Sequence, residues 1–413
     1  AAHSFNLLTK PFLSLNILLL TNKVPYPAND GSSIAMASMV DGFLKNKAAV
    51  TLLSLNTRKH FKSEDAISAE IPDNLNFHKV DVNTNVNPVG AAVNLISGQP
   101  YHVSRFYQKE YAAKLKTILK AQQFDVIQIE GLSMAVYYDL IKSLSKAPIV
   151  LRAHNVEHQI WERHISNQTD FFQKTYLKIQ VKRLKKFELE TLGKMDAVVA
   201  ITDEDEIGIQ KFSPKLKTIS IPCGIDLEKT KPCPSTSFKS DIGYLASFDW
   251  MPNVQGVEWF LNSVWPILKE ALPEITFRLG GRHMPNHFLN LQEEGISVHP
   301  DVPDMAEFVC GSHVSVIPLL AGSGMRIKII ENMALGKCQV STAIGAEGVQ
   351  VKNEQDILIG DTPEEFAQQI LTALSDQNKI DTIGAAARIT IEQNYGNEAL
   401  GKRLLNFYED QLC

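Results

Sequence analysis

The stretch "VLRAHNVEHQIWERH", residues 150–164, holds three histidines and two glutamates in fifteen positions. Its centre, His154-Asn155-Val156-Glu157-His158, spells H-x-x-E-H, the letters of a zinc-peptidase pattern. That chemistry needs both histidines on one face of a helix, with further ligands elsewhere. Here His154 directly follows "PIVLRA", a strand-like run, so no helical i, i+4 face exists at that point. His154 is expected at a strand's carboxyl end, in a cleft, with His158 and His164 in the loop or helix beyond. A purely structural His154 is the alternative.

A second group lies in "LLAGSGMRIKIIENMALG", residues 319–336. Gly322 and Gly324 flank Ser323 just before a helix. Amides at such a helix start hold an anion such as a diphosphate, and Arg326 and Lys328 add positive charge. Glu331 is placed to accept hydrogen bonds from sugar hydroxyls. The alternative is a glycine loop ahead of a solvated, charged helix. In "KVPYPANDGSS" (23–33), Asn29, Asp30, Gly31 and Ser32 suit a tight turn whose amides face a ligand, with a plain β-α turn as the alternative. It is not G-x-G-x-x-G, so the dinucleotide fingerprint is absent. "ASFDWMPNVQGVEWF" (246–260) offers Asp249 and Asn253 as polar contacts, with Trp250 and Trp259 read as packing residues. "LGGRHMP" (279–285) offers Gly281, where a ligand can approach the backbone closely, and Arg282, which faces either the crevice or solvent.

These groups need elements to hold them. Short apolar runs at 15–22, 48–56, 124–131, 147–155, 195–202 and 217–226 alternate with helical periods such as 33–46. The second half repeats the pattern, with strands at 240–248, 275–282, 295–302, 311–320 and 338–348 and a long helix at 253–273. A helix over 324–336 ends at Gly336, and Thr362-Pro363 opens another. This β-α-β-α order predicts α/β architecture: two doubly wound, Rossmann-like domains with parallel sheets, each offering a crevice at its strands' carboxyl ends. The link falls near 222–234, where three prolines and Gly224 interrupt the periodicity.

Bulk properties agree with two domains. The chain has 413 residues, 44% hydrophobic and 21% charged, and a net charge of −5. That balance gives no help to a nucleic-acid partner. Five scattered cysteines with no C-x-x-C predict a reduced, cytoplasmic compartment. The apolar stretch 13–20 is too short to cross a bilayer and predicts a buried first strand rather than a signal peptide. The first ten residues read as a lead-in. On the helix over 174–190, Lys174, Lys178 and Lys182 recur at i, i+4. A solvated face is expected there, with contact to anionic lipid headgroups as the alternative.

Taken in order, "PYPANDGSS", "RAHNVEH", "DAVVAITDED", "ISIPCGID", "FDWMPNVQGVEWF", "GSGMRIKIIENMALGKCQVSTAIGAEG" and "AAARITIEQNY" resemble the retaining GT-B-fold glycosyltransferases that use nucleotide sugars, the group 1 / family 4 type. The resemblance runs from about residue 15 to 400. It implies an acceptor-side domain over 1–225, a nucleotide-sugar domain over 226–390, and a C-terminal helix over 391–413 returning to the first domain. It implies that His154 contacts the transferred sugar, and that Gly31 and Ser32 face donor phosphates and acceptor. The amides of Gly324 and Met325 hold the diphosphate, Glu331 binds the nucleotide ribose, and Val302 and Asp304 neighbour the base.

Two departures from the family pattern stand out. Ser323 occupies the position eight before Glu331 where a glutamate is common, and "SFDWMPN" lacks the basic pair that often neutralises the diphosphate. Arg326, Lys328 and Arg282 are expected to take over that charge. The resemblance implies sugar transfer with retention of configuration and no metal or other cofactor, in polysaccharide or glycolipid synthesis. The acceptor is a glycan or glycolipid, with a peripheral contact to the inner membrane as a further expectation. A nucleotide-sugar epimerase and a catalytically inactive nucleotide-sugar-binding protein are the alternatives, and a zinc peptidase ranks last.

Overall fold

The computed structural model describes residues 14–85, 100–166, 171–234, 240–322 and 324–413. The lead-in, Ser323 and the side chains of His164 and Lys174 lie outside the described residues.

Seven strands build the first sheet: β1 (Asn16–Thr21), β2 (Ala49–Thr57), β3 (Asn76–Val82), β4 (Val126–Glu130), β5 (Ile149–Ala153), β6 (Ala197–Ala200) and β7 (Lys217–Ser220). Their spatial order is β3-β2-β1-β4-β5-β6-β7, all parallel. Six build the second: β8 (Ser240–Ser247), β9 (Phe277–Arg282), β10 (Ile296–Pro300), β11 (Ser312–Ile317), β12 (Cys338–Ser341) and β13 (Leu358–Ile359). Their order is β10-β9-β8-β11-β12-β13, also parallel. Helices cover both faces, so central strands such as β1, β4 and β5 are buried along almost their whole length. That explains their continuous apolar runs, and each fully buried Leu, Ile or Val contributes roughly 1.5–3 kcal/mol.

In both sheets the strand order reverses beside the first strand, β1 next to β4 and β8 next to β11. A crevice opens at the carboxyl ends of such a pair. The first helix, Gly31–Lys45, starts there with Asp30 as N-cap, its carboxylate accepting from the Ser32 and Ser33 amides.

Several elements differ from expectation. The helix over 253–273 is two segments, Met251–Trp259 and Trp265–Ala271, joined by a π turn at Phe260–Val264. Pro266 lacks the N–H that would continue an unbroken ladder. The stretch after β12 is not only a glycine loop but contains a short helix, Ala343–Ala346, capped by Thr342. Strands β3 and β13 and the helices Lys109–Ala121 and Gln377–Asn394 were not anticipated. β3 is mostly half-buried and carries polar residues at Asn76, His78, Lys79 and Asp81, and β13 is two residues long.

The last helix, Asn397–Gln411, packs on Gly31–Lys45. The two cross where Gly42 and Gly401 meet, and a Cβ on Gly401 would fall 2.4 Å from the Gly42 carbonyl carbon. Tyr395 and Asn397 exchange backbone hydrogen bonds with Ile225 in the link.

Cys233 and Cys310 form a disulfide across 77 residues. This corrects the expectation of thiols throughout: separation in sequence hid a pair whose Cα atoms lie 5.3 Å apart. Cys223, Cys338 and Cys413 are free. Among the described residues, no helix is long and apolar enough to cross a membrane. On the helix Phe171–Leu192, Lys185 pairs with Glu162 and Lys186 with Glu190, so part of its basic face is internally neutralised.

Candidate functional site

A cleft of about 1040 Å³ lies between the carboxyl ends of the two sheets. One wall carries Lys23, Asp30, Gly31, Ser32, His60 and His154 from the first sheet. The other carries Asp249, Asn253, Gly281, Arg282, Val302 and the segment Gly324 to Glu331. Every residue expected at the site lines this cleft except Asp304. That carboxylate instead caps the helix Met305–Cys310, accepting from the Glu307 amide.

His154 follows β5 directly, at the sheet's carboxyl edge. Its Nε2 lies 2.6 Å from Glu130 Oε2 at the end of β4. Glu130 is buried beside Arg152, whose Nη1 stands 3.5 Å from the same oxygen and donates to the Ala35 carbonyl at 2.9 Å. Burial works to raise the Glu130 pKa, but Arg152 and the bonds from His154 and Gln128 outweigh it and hold the carboxyl below its usual value.

His158, the other end of the zinc-like pattern, turns away. Its Nδ1 lies 2.6 Å from Glu188 Oε2, and Glu188 also accepts from the Glu157 and His158 amides. Glu188 therefore caps the helix Glu157–Ser166 from the neighbouring helix. Among the described residues, no group of three or more His, Cys, Asp or Glu side chains is placed to hold a metal ion.

Across the cleft the helix Ile327–Ala334 begins three residues later than the glycine pattern suggests, with Arg326 at its N-cap position. Gly324 has φ +78°, in the left-handed region that favours glycine, and a Cβ there would fall 2.9 Å from Asn155 Oδ1 on the opposite wall. Arg326 folds back into its own loop. Its Nη1 donates to the Gly324 carbonyl at 2.6 Å, and its guanidinium lies 5.4 Å from the Trp250 ring centre. Trp250 is thus not a core residue: it stands 38% exposed on the cleft wall, shaping the Arg326 loop. Trp259 does pack, edge-on against Phe366.

Lys328 reaches inward. Its Nζ lies 3.1 Å from both the Tyr244 hydroxyl and Asn253 Oδ1, above the Tyr244 ring. Burial pushes its pKa down to about 7, aided by Arg326 and opposed by Glu331. Burial pushes Glu331 up to about 7, against the pull of Lys328. Asn253 is fully committed inside the wall, accepting from Tyr244 and donating to the Ser247 carbonyl. Asp249 remains exposed and accepts from the Ser247 hydroxyl.

Two further residues are placed differently from the simplest expectation. The bare Cα of Gly281 makes room for the Ala246 carbonyl, from which a Cβ would lie 1.9 Å away, rather than for a ligand alone. Arg282 spans the cleft, its Nη2 donating to the Asn29 carbonyl at 2.7 Å. Around it Lys23 pairs with Asp30, and Lys62 and His60 are both pushed down by burial first and by Lys23, against the pull of Asp30.

Sequence reasoning missed Glu130, Asn155, Tyr244, Lys23 and His60 as cleft or supporting groups. Glu130 carried a usable signal: it ends a predicted strand, as His154 nearly does. The others show nothing in sequence that separates them from ordinary loop or strand residues.

Comparisons with known proteins agree with this arrangement. The family described as "Glycosyltransferase Family 4" matches residues 30–229, and "Glycosyl transferases group 1" matches 239–376. A Klebsiella pneumoniae protein named "Uncharacterized 44.6 kDa protein in cps region" is 21% identical over 307 residues, 70% of this chain and 76% of its own length. Sucrose-phosphate synthase from Thermosynechococcus elongatus superposes with TM-score 0.67 at 16% identity, covering 96% of this chain and 98% of its own. A glycosyltransferase from Rickettsia africae gives TM-score 0.65 at 14% identity, covering 97% and 99%. Anabaena HepE in complex with UDP-glucose gives 0.61 at 15% identity, covering 95% and 99%. One family match falls on each sheet and the shared fold spans both, so the chain belongs to the GT-B glycosyltransferases of the group 1 / family 4 type.

Proposed function

We propose that the protein moves a sugar from a nucleoside-diphosphate sugar to an acceptor hydroxyl with retention of anomeric configuration. One observation carries this reading: His154 from the first sheet and the Gly324–Glu331 segment from the second face one another across a single cleft. At about 1040 Å³ that cleft stands at the top of the roughly 300–1,000 Å³ range of small-ligand pockets, a size that suits a donor with the reacting end of an acceptor beside it. In this reading residues 1–225 serve the acceptor, 226–390 hold the donor, and 391–413 fasten the second part to the first.

The amides of Gly324 and Met325 and the start of the following helix hold the diphosphate, with Lys328, Arg326 and Arg282 supplying charge. Glu331 takes the ribose hydroxyls, and Val302 neighbours the base. As the C1–O bond breaks, negative charge grows on the leaving diphosphate, where preorganised amides and cations stabilise it. The acceptor oxygen bonds to C1 on the same face, and its proton passes to the leaving phosphate oxygen. No enzyme nucleophile and no metal enter this scheme. HepE, whose solved complex contains UDP-glucose, supports a nucleotide-sugar donor. Polysaccharide or glycolipid synthesis on the cytoplasmic side is the proposed setting.

The test is a thermal-shift panel of nucleotide sugars, because a ligand that binds only the folded state raises its apparent stability. Transfer with the cognate donor follows, with product configuration read by NMR and a parallel run in chelator. Expected are one stabilising donor, a retained anomeric centre and no loss on chelation. Full transfer by His154→Ala overturns the role of His154. Donor isomerised without acceptor favours an epimerase, and binding without turnover over a broad acceptor panel favours an inactive binding protein.

A further inference from the structure

We propose that Glu130 is the positioning residue of His154, fixing its tautomer and its angle in the cleft through a chain of hydrogen bonds that starts on the last helix. The proposal rests on the glycosyltransferase reading of the cleft for its effect on turnover, but not for its geometry. An ionised carboxylate only accepts hydrogen bonds, so the 2.6 Å contact to Glu130 Oε2 places the ring proton on His154 Nε2. In the neutral ring Nδ1 then carries the lone pair, left for the cleft that His154 lines.

Glu130 is itself held. Its other oxygen accepts from Gln128 Nε2 at 2.5 Å. The Gln128 carbonyl in turn accepts from the Tyr408 hydroxyl. The Glu130 carboxylate only accepts, so it turns the Gln128 NH₂ toward itself and leaves the Gln128 oxygen for the Tyr408 hydroxyl, which donates to it and holds the amide in place. Tyr408 and Gln128 are fully buried, and Glu130 is 2% exposed, so water does not compete along this chain. Arg152 balances the carboxylate from the other side and is anchored on Ala35. A buried ion pair of this kind adds little net stability over apolar side chains of the same volume. Its distinctive consequence is the orientation of the groups it touches, here the imidazole at the cleft edge.

Tyr408 lies on Asn397–Gln411, beyond the second sheet in sequence but packed on the first. The path Tyr408–Gln128–Glu130–His154 therefore links the chain's last helix to the site.

The tautomer is read directly by ¹⁵N NMR of the imidazole in the full-length protein, with His154→Gln identifying the resonance. The expected result is that the neutral form of the wild-type ring carries its proton at Nε2. In Glu130→Ala that preference disappears, and kcat falls at least tenfold while KM for the donor changes less than twofold. Tyr408→Phe keeps the packing but frees the Gln128 carbonyl, and is expected to lower kcat by a smaller factor with KM unchanged. A wild-type ring protonated mainly at Nδ1 overturns the proposal. So does a folded Glu130→Ala or Glu130→Gln protein with wild-type tautomer and kcat. If no donor is turned over by the wild type, the glycosyltransferase reading fails, and the ¹⁵N result still decides the role of Glu130.

Discussion

Lys328 Nζ and Asn253 Oδ1 lie 3.1 Å apart inside the cleft wall, where the lysine's pKa is pushed down to about 7. A diphosphate oxygen beside Lys328 favours the charged form, so donor binding takes up a proton above that pH. Donor affinity is therefore expected to fall above pH 7, by up to about tenfold per pH unit. Titration calorimetry in two buffers of different ionisation enthalpy reads the proton directly. A flat affinity from pH 7 to 9, or an unchanged slope in Lys328→Met, excludes this lysine as the responsive group.

Stability should respond to the same two groups with opposite signs. The Lys328 pKa is lowered from 10.5 to about 7, so between those values the unfolded chain binds the extra proton and stability rises with pH. Glu331 is raised from 4.5 to about 7, so between those values the folded state binds the extra proton and stability falls as pH rises. Their joint contribution is least favourable near pH 7. The double variant Lys328→Met, Glu331→Gln is expected to be more stable there, by about 1–4 kcal/mol in urea unfolding, while donor binding is lost. Equal or lower stability at pH 7 contradicts it.

Trp250 and Arg326 make a third case. The guanidinium lies over the indole and inside the turn of Gly322, where a Cβ would fall 2.5 Å from Arg326 Nη2. Removing the ring in Trp250→Ala takes away a cation–π contact worth roughly 0.5–2 kcal/mol and loosens the loop carrying Gly324 and Met325. Donor Kd should rise by a few-fold to about thirtyfold. Trp250→Phe, which keeps an aromatic face, should recover most of it. Equal binding in all three proteins means the loop does not depend on the ring.

The parallel sheets were legible because buried parallel strands read as unbroken apolar runs, as in "NILLLT" and "AVVA". The cleft residues at strand ends and helix starts followed from the same reasoning, because α/β folds gather their loops on one edge. What stayed hidden was pairing. Nothing near Gln128 in sequence announces Tyr408, 280 residues away, and nothing marks Cys233 for Cys310. Asp304 was ambiguous because a carboxylate before a helix serves equally as an N-cap and as a ligand contact, and the structure shows it in the first of these roles. Trp250 misled because its residue type favours burial, while its position at a strand end decided otherwise.

The crossing of Gly42 and Gly401 gives a stability prediction separate from the chemistry. Either Cβ would meet backbone, which cannot rotate away as a side chain can. Gly401→Ala should cost about 1–3 kcal/mol through overpacking, measured by chemical unfolding. The proposed donor site lies on the other side of the cleft, so donor Kd of the folded variant should stay within twofold. A neutral Gly401→Ala shows that the helices separate without penalty.

The disulfide supplies the last prediction. Cys233 lies in the link, and Cys310 ends the helix that follows Val302 and Asp304. The bridge ties the link to the part of the second sheet that lines the cleft. Closing a loop across 77 residues removes unfolded-state entropy worth about 4.5 kcal/mol in the chain-entropy model. Treatment with a phosphine reductant should therefore lower Tm by several degrees, and the double variant Cys233→Ser, Cys310→Ser should match the reduced protein and ignore the reductant. Cys223 and Cys338 are buried thiols and should contribute nothing to the change. A wild-type Tm indifferent to reductant, with both thiols alkylated after unfolding under non-reducing conditions, means the bridge does not form in the protein as isolated. That outcome restores the reduced state expected from the scattered cysteines.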